Sequence, residues 1–255
     1  MTKISAVIIT YNEEALIGRC LDSLQGVADE IIVVDSFSTD KTEEICNKYA
    51  VKFIKRKFEG YRDQKNFAIT LASHNNILSL DADEALSDKL KESIIRIKQD
   101  IKYDGYYFKR RSSFCGKWIK HSAWYPDPQL RLFKAGKGKF GELNIHEKFI
   151  MSNGSKLVTL DGDLLHWPFE SFDDYKNKVV KYSDIAAHEF YNAGRQANIF
   201  TPYIHSIWGF FRSYIVRGGF LDGRDGYIIC ASYSKSTYHK YTKLRKMIKN
   251  GVSSN

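Results

Sequence analysis

Two aspartates one residue apart close an apolar run in ILSLDADEAL, Ile77–Leu86. Residues i and i+2 of an extended strand share a side, so Asp81 and Asp83 are predicted to converge, with small Ala82 leaving room for a ligand. Two carboxylates that close repel each other. A hard divalent cation, Mg2+ or Mn2+, would offset the repulsion, and Mg2+ characteristically takes one or two carboxylates together with substrate phosphates. The bland alternative is a solvated turn that opens a helix at Ser87.

Two other apolar runs end in polar clusters: TYNEE (Thr10–Glu14) and VVDSFSTDKT (Val33–Thr42). Asp35 is placed to accept from a ribose hydroxyl or a base N–H. Asn12, Ser38, Thr39 and Asp40 are equally natural helix caps. His166 follows an apolar run and is a candidate to reach a metal or a diphosphate, although a histidine beside Trp167 is more often structural.

These clusters need a frame to hold them. Ile4–Thr10 is almost continuously apolar, as a strand buried on both faces should be. Ile17, Cys20, Leu21 and Leu24 then fall on one helical face, with Asn12 as the expected cap. Further strands are predicted at Glu30–Asp35, Val51–Ile54 and Asn76–Leu80. Helices are predicted at Asp40–Ala50, begun by Thr39 or Asp40, and at Tyr61–Ser73. The alternation βαβαβαβ predicts an α/β fold of Rossmann type, a mostly parallel sheet with helices on both faces, whose ligands bind at the carboxyl ends of the strands. Residues 103–167 change to short β-rich runs with glycine turns. Ser171–Gly194 is expected to be a long helix with Ser171 and Asp174 as a capping box. Thr201-Pro202 reads as the cap and first position of another helix.

The chain has 255 residues, 43% hydrophobic and 27% charged, which suits one large domain with an appendage. Its net charge of +9 points to an anionic partner. Nine Lys and Arg against Asp222 and Asp225 put +7 between Phe200 and Asn255. There Ile204, Ile207, Trp208, Phe211 and Ile215 share a helical face, the pattern of an anchor that lies on an anionic membrane surface. The bland reading is a helical cap packed on the main domain. The four cysteines have neither CxxC nor zinc-ligand spacing and read as reduced thiols. With no signal-peptide pattern and no run of about 20 apolar residues, the expected location is the cytoplasm, or the cytosolic face of the inner membrane as a peripheral protein.

TYNEE, VVDSFSTDKT and LDADE together resemble the inverting glycosyltransferases of family 2, which have the GT-A fold. DPQLRLF (Asp127–Phe133), NIHEKF (Asn144–Phe149), LLHW (Leu164–Trp167) and GGFLDGRDGY (Gly218–Tyr227) are similar to a branch containing lipopolysaccharide core β-1,4-glucosyltransferases. The resemblance implies that residues 1–167 form the transferase domain. Within it, 1–102 would bind the nucleotide sugar and 103–167 would face the acceptor, with 168–255 a helical, basic and aromatic extension. It implies donor contacts from Thr10, Tyr11, Asn12, Glu13 and Asp35, from Asp81 toward the ribose with Ala82 beside it, and from Asp83 toward the metal. A basic residue on the preceding helix, Lys65, would approach the diphosphate. The implied donor is UDP-glucose and the implied acceptor a lipid-linked or lipopolysaccharide-core saccharide.

Two departures stand out. The second motif reads D-S-F-S-T-D where D-D-G-S-T-D is commoner, and the E-D pair that often marks the base is absent. The expected base is Glu147, beside His146 and matching the branch's H-E, with Glu142 and Asp127 as alternatives. Asp127 and Arg131 are expected to bind acceptor or to pair with each other.

Rival readings fit less of the chain. A nucleic-acid or membrane-surface binder without catalysis explains the charge but not the acidic strand ends, so no nucleic acid is expected. A D-x-D phosphatase would carry its nucleophile after the first strand. A dinucleotide enzyme would need G-x-G-x-x-G there.

Overall fold

The computed structural model describes residues 1–141, 148–169 and 171–251. The chain forms two compact units. The first comprises Met1–Arg111 and Asp127–Trp167, and the second Ser112–Pro126 and Pro168–Asn255.

In the first unit, β1 (Ile4–Thr10), α1 (Ile17–Leu24), β2 (Glu30–Asp35), α2 (Thr42–Cys46), β3 (Lys52–Lys55), α3 (Tyr61–Thr70) and β4 (Asn76–Asp81) follow in the predicted alternation. After β4 come β5 (Glu84–Leu86), α4 (Asp88–Ile97), β6 (Gly105–Phe114) and β7 (Lys117–Trp118), which belongs to the second unit. β8 (Asp127–Lys134), β9 (Gly138–Phe140), β10 (Phe149–Met151) and β11 (Leu157–His166) return to the first. The main sheet runs β3-β2-β1-β4-β8-β6-β11-β5. Its β3-β2-β1-β4 half is parallel, while β8 and β5 pair antiparallel to their neighbours.

Side-chain alternation along β1 feeds two cores. Ile4, Ala6 and Ile8 pack with Leu21, Leu24, Leu90 and Ile94, from α1 and α4. Val7 packs with Ile32, Val34, Ile77 and Ala68 of α3. Burial on both faces explains why these strands are continuous apolar runs. Because the order reverses at β1, the crevice at the carboxyl ends of β1 and β4 is the place where such sheets take ligands. The register there sets Thr10 against Asp35 and Ile9 against Asp81.

Several predicted helix starts are corrected. Asn12 does not cap α1. Its Oδ1 accepts from Thr39 N at 2.8 Å, so it ties two loops together. α2 begins at Thr42 rather than Asp40, with Asp40 Oδ1 accepting from Thr42 N at 3.0 Å. Ser87 caps α4 as the turn reading required, accepting from Leu90 N.

The second unit contains α5 (Phe172–Asn192), α6 (Thr201–Phe211), a π-helical turn at Arg212–Val216, a 3-10 turn at Gly219–Asp222 and α7 (Gly223–Asn250). Ser171 Oγ accepts from Asp174 N at 3.1 Å at the start of α5, as the capping box predicts. For α6 the prediction is one residue off: Thr201 is the first helical residue, and Asn198 Oδ1 accepts from Phe200 N and Thr201 N. Phe114, Ile119, Tyr175 and Ile229 form this unit's core. The buried Asp222 carboxylate accepts from the backbone N–H groups of Lys120 and His121 and faces His121 Nδ1 at 3.1 Å. The glycines of GGFLDGRDGY have a packing reason: a Cβ on Gly226 would lie 1.9 Å from the Gly219 carbonyl oxygen. Among the described residues, no helix is long and apolar enough to cross a membrane.

Candidate active site

β4 ends at Asp81, and Ala82 and Asp83 form the turn into β5. Asp83 therefore lies past the strand, and strand alternation does not govern where it points. The two aspartates have different partners. Asp81 Oδ1 lies 2.7 Å from Lys65 Nζ, and its Oδ2 2.8 Å from Arg131 Nη2. The same Nη2 reaches Glu84 Oε1 at 2.6 Å, and Arg110 approaches that oxygen at 3.5 Å. Glu84 Oε2 accepts from Asp81 N. Arg110 in turn holds Asp127 through Nε and Nη2, at 2.9 and 2.7 Å.

This chain of alternating charges answers the repulsion that the sequence raised. At Asp81 the offset comes from the protein's own cations, Lys65 and Arg131. Lys65, Glu84 and Arg131 are all buried. Burial alone would raise the Asp81 carboxyl, but Lys65 and Arg131 outweigh it and hold the group far below the usual carboxylate range. Burial opposes charge on Arg131 as well, yet Glu84 and Asp81 keep the guanidinium more firmly protonated than usual. Arg131 Nε is buried with no hydrogen-bond partner among the described residues. The expected pairing of Asp127 with Arg131 is not formed. Asp127 goes to Arg110, and Gln129 Nε2 donates to its other oxygen at 2.8 Å.

Asp83 turns to His166, with Oδ2 3.3 Å from Nε2. Both side chains are partly exposed. The β5–β11 ladder fixes this arrangement by pairing His166 with Glu84, and Trp167 N donates to the Asp83 carbonyl at 3.0 Å. Arg19 lies over the Trp167 ring at 5.2 Å. Among the described residues, no group of three or more His, Cys, Asp and Glu converges as a metal cage. One carboxylate and one imidazole facing each other do fit a divalent ion that draws its other ligands from phosphate and water.

At the ends of β1 and β2 the loops are laced together. Asp35 is fully buried, and its carboxylate accepts from Ser38 N at 2.9 Å and from Ser38 Oγ. Ser38 Oγ then accepts from Asn12 N at 2.8 Å. Glu13 N donates to Thr42 Oγ1, and Glu14 N to Asp40 Oδ2. Thr10 Oγ1 is buried with no hydrogen-bond partner among the described residues, and Ala82 is buried too. Tyr11 and Phe37 stand exposed at the two loop tips.

Phe37 is a residue the sequence reading passed over. It has φ 64°, in the left-handed region that glycine enters freely, and it occupies the place of glycine in the commoner motif. The departure at that position puts a bulky side chain on a left-handed backbone. Lys65 is buried, ion-paired to Asp81 and 5.4 Å from the Phe140 ring centroid. Glu147, Glu142 and His146 lie outside the described residues.

Residues 5–155 match a family model described as glycosyl transferase family 2. An uncharacterized glycosyltransferase, RT0209, of Rickettsia typhi is 30% identical over 97% of this chain and 88% of its own length. The lipopolysaccharide core biosynthesis glycosyltransferase LpsC of Rhizobium meliloti is 30% identical over 98% of this chain and 97% of its own. Among solved structures, the mannosyltransferase PcManGT from Pyrobaculum calidifontis, in complex with GDP-Man and Mn2+, superposes with TM-score 0.59 at 16% identity, covering 95% of this chain and 86% of that one. S. aureus TarS 1–349 in complex with UDP gives TM-score 0.50 at 17% identity, covering 100% and 93%. These two share the fold.

Proposed function

The chain belongs to glycosyl transferase family 2, and we propose that it moves a hexose, glucose, from a UDP-linked donor to a hydroxyl of a lipid-linked or lipopolysaccharide-core saccharide, with inversion. Family membership replaces the phosphatase reading of D-x-D. The observation that carries the proposal is the pairing of Asp83 with His166 beside the Lys65–Asp81–Arg131–Glu84 network, at the carboxyl ends of parallel strands.

In this reading the nucleoside lies across the laced β1 and β2 loops. Tyr11 and Phe37 offer faces to the base, and Thr10, Asn12 and Glu13 line the approach. Asp35 shapes the loop through Ser38 instead of meeting solvent itself. Lys65 and Arg131 hold Asp81 ionised and keep positive charge close to the donor. Asp83 and His166 would hold Mg2+ or Mn2+, which supplies the charge that steadies the departing diphosphate. The acceptor hydroxyl must lose its proton to a base within hydrogen-bond reach, the role proposed for Glu147. Asp127 is the weaker candidate because Arg110 and Gln129 already hold both of its oxygens. LpsC acts in lipopolysaccharide core biosynthesis, and its likeness over the full chain supports an acceptor of that kind. Such an acceptor would place the enzyme on the cytosolic face of the inner membrane as a peripheral protein, with an anionic lipid surface as its partner.

The test is a panel of sugar nucleotides, read by divalent-dependent binding and hydrolysis, with Asp83→Ala as control. UDP-glucose should give the strongest signal and Asp83→Ala should abolish the divalent dependence. A variant that binds and turns over donor like the parent would sink the metal assignment. Glu147→Gln should bind donor normally and fail to transfer.

A further inference from the structure

We propose that the outward face of α6 and its π-helical continuation is a lipid-docking surface, lying in the plane of an anionic bilayer with its apolar side chains in the acyl boundary. The proposal rests on the reading above that the acceptor is lipid-linked, and it names the surface that would reach it.

α6 turns large apolar side chains to the outside. A water-soluble amphipathic helix turns its apolar stripe to the core and its polar stripe to solvent. Here the face toward α7 mixes small residues with aromatic ones: His205 stacks on Tyr241 at 4.5 Å and Phe210 meets Tyr227 edge-on at 6.1 Å. Pro202, Ser206 and Ser213 are buried. Ser206 O accepts from Ser234 Oγ at 2.9 Å, and Ser213 Oγ lies 3.1 Å from Cys230 Sγ. A Cβ on Gly209 would come within 3.0 Å of the Tyr233 ring. The opposite stripe is Phe200, Ile204, Ile207, Trp208, Phe211 and Ile215, at 46–68% exposure. Small residues at the closest approach to α7, with large apolar ones outward, is the arrangement helices adopt when their outer medium is lipid. A contiguous apolar stripe of this kind on a soluble chain marks an interaction site.

Charge selects the occupant. From Ala193 to Leu221 the sequence has no Asp or Glu, while Arg195, Arg212 and Arg217 punctuate it. Arg212 falls one helical step off the apolar stripe, at its rim. Arg217 O accepts from Ser122 N at 2.9 Å, which brings the loop bearing Lys120 beside it, while Lys117 of that loop is paired with Asp225 at 3.0 Å. Basic side chains around an apolar face match phosphate headgroups around acyl chains. A second copy pressed onto the same face would meet these cations with its own. The stripe covers one side only and no described helix can span a bilayer, so the helix lies along the surface.

The experiment is co-sedimentation of the full chain with phosphatidylcholine vesicles, with and without phosphatidylglycerol. The chain should partition onto the anionic vesicles and be released by salt. Ile207→Ser with Trp208→Ser should weaken partitioning by roughly tenfold or more. Arg212→Gln with Arg217→Gln should weaken it by about tenfold, on anionic vesicles alone. Brominated lipid should quench Trp208 fluorescence, read as the difference from Trp208→Phe, an arm that needs no polar substitution in the stripe. Unchanged partitioning of the Ser double variant, absent quenching, or failure of the parent chain to bind anionic vesicles would each overturn the proposal. So would a concentration-dependent dimer, seen by sedimentation velocity, that the Ser double variant dissolves. Donor hydrolysis measured on the same preparations separates the two readings. Normal hydrolysis without vesicle binding removes the docking surface and leaves the enzyme. Vesicle binding without hydrolysis of any sugar nucleotide leaves the surface and removes the enzyme.

Discussion

The first unit buries charge, and the second exposes grease. Around Asp81 the chain places Lys65, Glu84 and Arg131 out of water and satisfies them against one another. Along α6 it does the reverse, leaving Ile204, Ile207, Trp208 and Phe211 exposed. Neither arrangement follows from stability alone. Replacing a buried ion network by apolar residues is often neutral or favourable, and an apolar stripe left in water forgoes burial energy. Where a fold departs from the cheaper arrangement, the departure marks the surface that meets something other than water or its own core.

Substitutions can break each side of that contrast. The largest effect is expected at Arg131. Arg131→Ala strands the fully buried Glu84 beside Asp81, and urea denaturation should show a loss of about 3–5 kcal/mol. A loss below about 1 kcal/mol would mean that the network is wetter than its geometry indicates.

Asp81→Asn comes next and carries a pH signature. The folded carboxyl is held far below its unfolded value of about 3.9, so its contribution is fully present above that value and fades as pH falls toward the folded one. The stability gap between parent and variant should therefore be widest at neutral pH and narrow below about pH 4. A gap that is constant from pH 7 to pH 3 would contradict the assignment of charge to Asp81.

In the second unit, Gly226→Ala forces a methyl against the Gly219 carbonyl and should cost about 1–3 kcal/mol by thermal melting. Phe37→Gly relieves a left-handed phenylalanine and should stabilise the chain by about 1 kcal/mol. It should also weaken UDP binding by about fivefold or more if the ring carries the base. Smallest of all, Ile207→Ser should change stability by no more than about 0.5 kcal/mol in solution, because its side chain already stands in water. A larger loss would place that side chain in a core.

What could be read in advance follows the range of the interactions. The four parallel strands, α1 and α3 are local patterns and appear close to where those patterns put them, while α2 spans only Thr42–Cys46 of the predicted Asp40–Ala50. Cap assignments failed at Asn12 and Asp40, because residues suited to cap a helix are equally suited to lace one loop to another. Arg131 has its carboxylates 47 and 50 positions earlier, a separation on which no periodicity reports, so the sequence offers it only the acceptor or the acid four residues away. Asp83 escaped strand alternation because the strand stops at Asp81. The stripe on α6 was visible as a stripe, but spacing alone does not say whether a stripe faces inward or outward. Phe37 did carry a signal, a bulky residue in a glycine's place, and the left-handed backbone there is what gives it meaning.

One rung of the sheet ties these features together. Glu84 and His166 are cross-strand neighbours, so the group that grips Arg131 and the group that faces Asp83 sit on one rung of the β5–β11 ladder. Any shear between β5 and β11 displaces both at once. A lineage that remodelled this rung at His166 would disturb the electrostatics behind Asp81 in the same step, and compensating changes are to be sought at Lys65 or Arg131, far away in the chain.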